Sequence, residues 1–579
     1  MKRLIVIAVI CLLLVESTFA QTASFRDVSS SAGIGTYGSN YGISFGDYDN
    51  DGDDDAYITM RDGNPNLLFR NDGNGSFTEV AASLGIDNAK SSTGALWVDF
   101  DNDGDLDLYV GNTESANTYY INNGNGTFSD KTAEAGLGDE SSPLSMNAGD
   151  LDNDGFVDIY LANIHEENVL YHNNGDGTFT NIIFESGATD TQIAMGGILF
   201  DYDNDRDLDI YLTHDARQDF ILYENDGSGH FTDVSVQAGV NYQGFGMGVD
   251  VADFNNDGHL DIYVTNLFEN FLAINNGDKT FTEIGAAAGV DDYGMGWGVL
   301  CLDYDNDGLQ DVYAVNNGVY SPHPNMLYKN NGDNTFNVVS GNTILESPFV
   351  GYGAACTDVD DDGDVDIFIA NAGTKGGNQL FINESTRSNW LKLKAIGTVT
   401  NRSGIGARVE VKTATRTLID EVIAGSSYLS QNSLTLHFGL GSDEIIEELT
   451  IKWPSGITEV YNDIEVNNTY AATEETGIAV VNKQDVVTSI ENELEAYQAV
   501  IYPNPFNGQL KIEFDNPEKQ RVTIGLYDAL GQQITQIADE EFLPGRIDLA
   551  VEEQSLRNGI YLVKVNSKSV NFSQKVYKE

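Results

Sequence analysis

Residues 47–55 read DYDNDGDDD, with Asp47, Asp49, Asp51, Asp53 and Asp55 at alternate positions. Like charges this close repel, and Asp is a poor former of helices and strands alike. Such a run calls for a cation. Hard oxygen ligands in a flexible loop suit Ca2+, which takes ~6–8 oxygens at ~2.3–2.6 Å. Softer metals would want His or Cys, and these runs hold almost none. Positions 1, 3, 5 and 9 can turn side-chain oxygens inward, position 7 can offer its backbone carbonyl, and Gly at position 6 permits the sharp turn.

The run returns six times, at spacings of 52, 51, 51, 52, 50 and 55 residues. The second loop carries Asp99, Asp101, Asp103, Asp105 and Asp107, and the third Asp150, Asp152, Asp154, Phe156 and Asp158. The fourth has Asp201, Asp203, Asp205, Asp207 and Asp209, and the fifth Asp253, Asn255, Asp257, His259 and Asp261. Asp303, Asp305, Asp307, Leu309 and Asp311 make the sixth, and Asp358, Asp360, Asp362, Asp364 and Asp366 the seventh. Phe156 and Leu309 fall where only a backbone oxygen is required. An EF-hand is rejected because its twelfth position needs Glu between helices, whereas Ile58 and Val110 stand there. Acidic turns that bind nothing are the plain alternative, and seven recurrences of one spacing argue against them. Up to seven Ca2+ are expected, mainly structural, with ligand-bridging ions as the alternative. Arg206 replaces the turn glycine of the fourth loop, and Asn255 and His259 replace carboxylates in the fifth, so these two sites are expected to be weakest.

The elements that must hold these loops follow from the period. Each repeat reads as four short strands, such as GISFGDY (42–48), AYIT (56–59), NLLFRND (66–72) and SFTEVAA (76–82). Turns such as NNGNGTF (122–128) are hairpin chemistry, because Asn and Gly tolerate positive φ. Four-stranded units around an axis are propeller blades. FRDVSSSAGI (25–34) has the fourth-strand pattern ahead of any acidic loop, and the last repeat lacks a fourth strand after QLFIN (379–383). The N-terminal strand is therefore predicted to complete the last blade and close the ring. Small residues in GFGMGV (244–249) and GMGWGV (294–299) fit an innermost strand crowded at the axis.

Charge narrows the partners. The chain has 579 residues and a net charge of −60, and residues 21–385 alone hold 62 Asp+Glu against 10 Lys+Arg. That charge argues against nucleic acid and anionic membrane surfaces as partners, because their phosphates would be repelled. Lys2, Arg3 and the apolar IVIAVICLLLV read as a signal peptide over 1–20, cleaved after Thr18-Phe19-Ala20. Cys11 lies inside that apolar run, which argues against a lipoprotein. No other run is long enough to span a membrane as a helix. Cys301 and Cys356 remain after cleavage and read as buried small hydrophobes rather than a disulfide.

Over residues 21–385 the loops and strands resemble the FG-GAP/VCBS repeats of integrin-α-like propellers. That resemblance implies a seven-bladed propeller, Ca2+ between the first two strands of each blade, and adhesion or ligand binding. Residues 386–473, through NRSGIGARVEV (401–411), GSSYLSQNSLTLHFGLG (425–441) and IKWPSGITEV (451–460), resemble the ASPIC/UnbV domain of the cartilage acidic protein family. Residues 474–497 read as a linker with a short helix. Residues 498–579, with YPNPFNG (502–508), LYDALGQ (526–532) and GIYLVKV (559–565), resemble the C-terminal sorting domain of the type IX secretion system. This implies a Gram-negative, Bacteroidota-type source, partnership with that machinery, passage through the outer membrane, and removal of the domain on anchoring or release. The expected fold is all-β: a seven-bladed β-propeller, a small β domain and a C-terminal β-sandwich.

Catalytic sets are not evident. His165-Glu166-Glu167-Asn168 lacks the second His of a zinc protease, and no G-x-S-x-G elbow, P-loop or C-x-x-C is present. Gly404-Ile405-Gly406 is read as a turn, His437 as a structural histidine and Trp453 as a packing residue. The expected role is an exported Ca2+-binding protein at the cell surface or secreted, non-enzymatic, docking a glycan or protein. A polysaccharide- or protein-processing enzyme with its site at the channel mouth is the alternative, because 90 acidic residues can hide a catalytic pair. A self-assembling surface-layer role is a third.

Overall fold

The structure is a computed structural model that describes residues 24–481 and 500–578, apart from 36–37, 74, 318–322, 341–348, 374–376, 386–387, 503–508, 518, 529–532, 553–558 and 568–570. The expected signal peptide and linker helix lie outside these residues. The chain falls into two compact units, one of residues 1–48 with 53–480 and one of 481–579 with 49–52.

Strands dominate the first unit because β-branched and aromatic residues alternate with Gly and Asn turns. In the first repeat, Gly38–Gly46 runs into the acidic loop and Asp55–Met60 runs out of it; Leu67–Asn71 and Phe77–Glu79 follow. These strands pair antiparallel in chain order. The same order recurs in the second repeat, Ser91–Val98, Asp107–Thr113, Thr118–Asn122 and Phe128–Asp130, and through those that follow. A one-turn helix often trails the fourth strand, as at Ala81–Leu84, and ends at a left-handed glycine, Gly85 with φ 73°.

The ends of the repeat region meet. Phe25–Asp27 pairs with Gln379–Asn383, Phe25 lying opposite Asn383. Gly38 and Ser39 pair with Gly373 and Ala372. The first strands of successive repeats stand side by side, and Val350–Thr357 of the last returns to Gly38–Gly46 of the first.

The second domain is two small sheets. Asn389–Ile396 pairs antiparallel with Leu436–Gly441 and parallel with Asn468–Thr473. Arg408–Lys412 lies between Thr417–Glu421 and Ile445–Lys452, and Thr458–Glu465 forms the edge. The sheet runs on past the expected boundary at 473, because Gly477–Val480 pairs with Asn468–Thr473. Glu474, expected at the start of a linker, is fully buried and accepts the N–H groups of Thr398, Val399 and Thr400 at 2.8–2.9 Å. Those bonds hold its carboxyl below the usual carboxylate range despite burial. Its core is continuous with the repeats: Leu391, Val409, Leu449 and Trp453 share one buried cluster with Val157, Leu199 and Leu208. Trp453 is fully buried, as expected of a packing residue, and its Nε1 donates to Glu459.

In the second unit, one sheet orders Val500–Tyr502, Gln509–Asn516 and Gly545–Glu552. The other orders Gln533–Phe542, Gln520–Asp528, Gly559–Asn566 and Asn571–Lys578. Ile512, Phe514, Ile524 and Val563 belong to its core. Among the described residues no helix is long and apolar enough to cross a membrane. Cys301 and Cys356 are free thiols.

Candidate metal loops and the domain that covers them

The second to seventh acidic loops are tight backbone turns, each folded around its first aspartate. In the second loop Asp99 accepts the N–H groups of Asp103 at 3.1 Å and Gly104 at 2.7 Å. Asp150, Asp201, Asp253, Asp303 and Asp358 accept from the equivalent pair. The turn needs two left-handed residues. Position 4 takes φ 58° at Asn102 and 54° at Asn306, and position 6 takes 97° at Gly104. Arg206 is held at φ 81° in the glycine position, a conformation that costs a non-glycine residue ~1–2 kcal/mol. Its guanidinium donates to Thr458 Oγ1 at 2.9 Å.

Position 9 clasps the loop to the sheet. Asp107 Oδ2 accepts from Phe100 N–H at 3.2 Å and Oδ1 from Asn122 N–H at 2.8 Å. The same two bonds recur at Asp55, Asp158, Asp209, Asp261, Asp311 and Asp366.

The carboxylates expected to share a cation do converge. Asp99, Asp101 and Asp107, then Asp150, Asp152 and Asp154, then Asp201, Asp203 and Asp209 each bring oxygens within 4.8 Å of one another. At position 3, Asp152 Oδ1, Asp203 Oδ1, Asp305 Oδ1 and Asp360 Oδ1 are buried without a hydrogen-bond partner. Burial above all, with neighbouring carboxylates adding, pushes Asp99, Asp150 and Asp364 up to about 7 and Asp253 to about 6. Asp107, Asp209 and Asp303 are likewise raised well above the usual carboxylate range, by burial first and neighbouring carboxylates next. Oxygens in this state fit a hard divalent cation, since a buried carboxylate needs a compensating charge. Position 7 behaves differently: the side chains of Phe156, Asp207, His259 and Leu309 lean on the turn glycines Gly175, Gly227, Gly277 and Gly332. Only their backbone oxygens are left for the loop. The second unit takes Asp49 and Asp51, so the first loop is described here by Asp47, Asp53 and Asp55.

Protein cations already reach several loops. Lys279 contacts Asp203 and Glu224, and Lys329 contacts Asp305 and Asp307. His172 Nδ1 lies 3.3 Å from both Asp152 and Asp158, and the Asp158 contact above all raises it to about 9. These contacts were not foreseen, because His172 and Lys329 lie on third strands and Lys279 in the turn after one, all outside the acidic loops.

Two asparagine series, also unforeseen, tie the loops together. Asn122 Nδ2 donates to Tyr48 O at 2.8 Å, Asn173 to Phe100 O at 2.9 Å and Asn225 to Leu151 O at 2.9 Å. Asn275, Asn330 and Asn383 continue to Tyr202, Phe254 and Tyr304, and Asn71 reaches Val359 of the last repeat. At position 4, Asn102, Asn204, Asn256 and Asn306 donate to the position-6 carbonyl of the next loop. An Asn closing every third strand was the available signal.

The second domain sits on the loops. Lys394 pairs with Asp47, and Arg402 N–H donates to Asn102 Oδ1. Arg408 and Glu421 form a buried pair at 3.0 Å that also bonds the backbone of Asp201. Arg416 contacts the Asp307 carbonyl, Gly441 N–H donates to Asn306 O at 2.7 Å, and Lys392 lies 2.7 Å from Asp358. His437 is half-buried with Nε2 3.0 Å from Gly363 O, as a structural histidine should be.

From this domain the segment Ala424–Gln431 threads between the first strands. Ser427 exchanges backbone bonds with Val249 at 2.8 and 3.1 Å, Ala148 N–H donates to Ala424 O at 3.0 Å, and Gln431 bonds Ile43 and Phe45. The Gln431 side chain clamps both backbone groups of Trp97. This explains the small residues of the inner strands: a Cβ on Gly42 would meet Leu429 O at 2.2 Å, and one on Gly94 at 2.9 Å. The tip, Tyr428 and Leu429, packs with Leu144, Met195 and Met247 at the strand ends away from the acidic loops.

The model for "FG-GAP-like repeat" matches residues 47–110, 99–161, 150–212, 201–264 and 303–369. "ASPIC and UnbV" matches 397–479 and "Secretion system C-terminal sorting domain" matches 500–579. Cartilage acidic protein 1 of Xenopus tropicalis is 27% identical over 503 residues, covering 78% of this chain and 75% of that protein. Its human counterpart is 28% identical over 203 residues, covering 33% and 30%. Among solved structures, an Agrocybe aegerita lectin described as recognising non-reducing terminal N-acetylglucosamine is 17% identical, with TM-score 0.35 over 57% of this chain and 82% of its own. Saccharomyces cerevisiae Sqt1 is 10% identical, with TM-score 0.36 over 77% and 99%. The sorting domain marks the protein as secreted or attached at the outer-membrane surface through the type IX machinery of a Bacteroidetes-type bacterium. The chain is thus built of FG-GAP-like repeats, an ASPIC and UnbV domain and a secretion-system sorting domain, and it is a homologue of cartilage acidic protein 1.

Proposed function

We propose that the repeats form a closed seven-bladed β-propeller over residues 21–385 whose acidic loops hold up to seven Ca2+. The second domain then runs from 386 to 480 and the sorting domain from 498 to 579, its two sheets packed as a β-sandwich. The mature protein acts outside the cell as a non-enzymatic module that binds a glycan or protein, and the ions stiffen the loops. The observation that carries the Ca2+ assignment is the recurrence of a buried, unpartnered position-3 oxygen at Asp152, Asp203, Asp305 and Asp360. A second domain seated on the loops and a segment filling the space between the inner strands support binding at the surface over turnover within a channel.

The test uses the purified chain without its signal peptide, with millimolar-range Ca2+ and again with chelator, since extracellular sites bind at ~10⁻⁴–10⁻³ M. Polysaccharides and extracellular proteins are scored for retention and for product release. Retention of intact ligand that is lost in chelator supports the reading. Release of fragments overturns it in favour of an enzyme.

A further inference from the structure

The tip of the threaded segment emerges among side chains that the loops do not use. Tyr428 packs edge-on to Trp297, with ring centres 4.8 Å apart; Trp297 lies 4.7 Å from Tyr352, and Tyr352 stacks on Tyr41 at 4.4 Å. The Arg61 guanidinium lies over Tyr41, 4.0 Å from its centre. Tyr41, Trp297 and Tyr352 are half-buried, so their rings are partly open to solvent. They come from the first, sixth and seventh repeats, and each stands six residues before the first aspartate of its loop. This places them at the end of the inner strands away from the cation loops. A second pair lies on the fourth and fifth repeats, where exposed Arg217 sits 5.7 Å from the Phe245 ring, itself 6.2 Å from half-exposed Phe268.

The chain has three acidic residues for each basic one, 90 against 30. Even so, neither Arg61 nor Arg217 has a carboxylate within ion-pair distance among the described residues, whereas Lys279, Lys329, Lys392, Arg408 and Arg416 all do. The neighbouring carboxylate of Asp62 is taken by Ser39 Oγ at 2.6 Å. Arg61 Nε and Trp297 Nε1 both lack an acceptor. An aromatic face offers the C–H side of a sugar ring an apolar platform, and a guanidinium pairs a carboxylate through two parallel N–H bonds.

We propose that this end of the molecule binds an acidic carbohydrate. Uronate rings stack on Tyr41, Trp297 and Tyr352, and their carboxylates pair with Arg61 and, along the chain of sugars, Arg217. The inference rests on the ligand-binding reading above and names the ligand class. Because Tyr428 backs Trp297, the site is complete only when the second domain is threaded.

The test measures binding of alginate, a polyuronate, and of neutral dextran to the full mature chain at low salt with Ca2+. Wild type should bind alginate and not dextran. Arg61→Ala and Trp297→Leu should each weaken alginate binding by about tenfold or more, and Arg217→Ala by less. Melting temperatures confirm that the variants are folded, and Arg61→Lys, which keeps charge without the fork, should recover only part. Alginate binding that Arg61→Ala and Arg217→Ala leave unchanged overturns this site and leaves the ligand-binding reading standing. Equal binding of dextran overturns the acidic-sugar assignment, and retention of no macromolecule at all overturns both.

Discussion

The side-chain amide of Asn71 donates to the backbone carbonyl of Val359 at 2.9 Å, joining residues 288 apart in sequence. The bond links the first repeat to the last, and equivalent bonds from Asn122, Asn173, Asn225, Asn275, Asn330 and Asn383 link each later repeat to the one before. The repeats are thus stapled at the base of every acidic loop, by a side chain with the amide needed to reach a carbonyl across the gap. Asn71→Ala leaves a buried carbonyl without its donor and should cost ~1–3 kcal/mol. Denaturant unfolding checks this, and Asn122→Ala should cost about as much, since its bond is geometrically the same.

Asp250 is buried and Asp420 half-buried, and desolvation above all raises each to about 7, with the Asp420 charge adding at Asp250. Neither belongs to an acidic loop. An acid whose native pKa exceeds its unfolded one binds more protons folded than unfolded between the two values. Stability should therefore fall as pH rises from about 4 to about 7, and level off above. Asp250→Asn removes one titrating group and should flatten that slope. Melting temperatures at constant Ca2+ across this range, for both proteins, measure it; a slope that is unchanged in the variant would refute the assignment.

A methyl group on Gly42 would sit 2.2 Å from the Leu429 carbonyl. The Leu429 carbonyl is held close by the bonds of neighbouring Gln431 to Ile43 and Phe45, so Gly42→Ala should cost the ~1–3 kcal/mol typical of overpacking. It should also loosen Ala424–Gln431. Limited proteolysis should show cleavage within 424–431 in the variant and protection in the parent.

Lys279 and Lys329 must leave their carboxylates before a divalent ion can use them. Lys329→Met should therefore tighten Ca2+ at the sixth loop. Arg206→Gly relieves a left-handed arginine and should strengthen the fourth loop, although the bond to Thr458 is lost. Titration calorimetry of wild type should resolve more than one affinity class, with the fourth and fifth loops weakest. Identical isotherms for wild type and both variants would contradict this.

The sequence by itself determined the period, the four-strand unit, the acidic loops and the pairing of Phe25–Asp27 with the last repeat. Each of these rests on local chemistry: alternation for strands, Asn and Gly where φ must be positive, and Asp at a fixed spacing where a turn must gather oxygens. Even the staples were open to view as an Asn closing every third strand, although nothing local says which carbonyl each one meets. The tertiary structure alone decided that the second domain covers the loops and sends Ala424–Gln431 between the inner strands. Those contacts join residues some 130 to 390 apart, and an irregular segment whose backbone bonds go to three different repeats has no periodicity to read. The small residues of GFGMGV and GMGWGV signalled crowding. Only the folded chain shows the crowding partners, which are the next inner strand at Gly248 and Gly298 and a segment from another domain at Gly42 and Gly94, because the identity of a neighbour is fixed by packing and not by the residue that makes room for it.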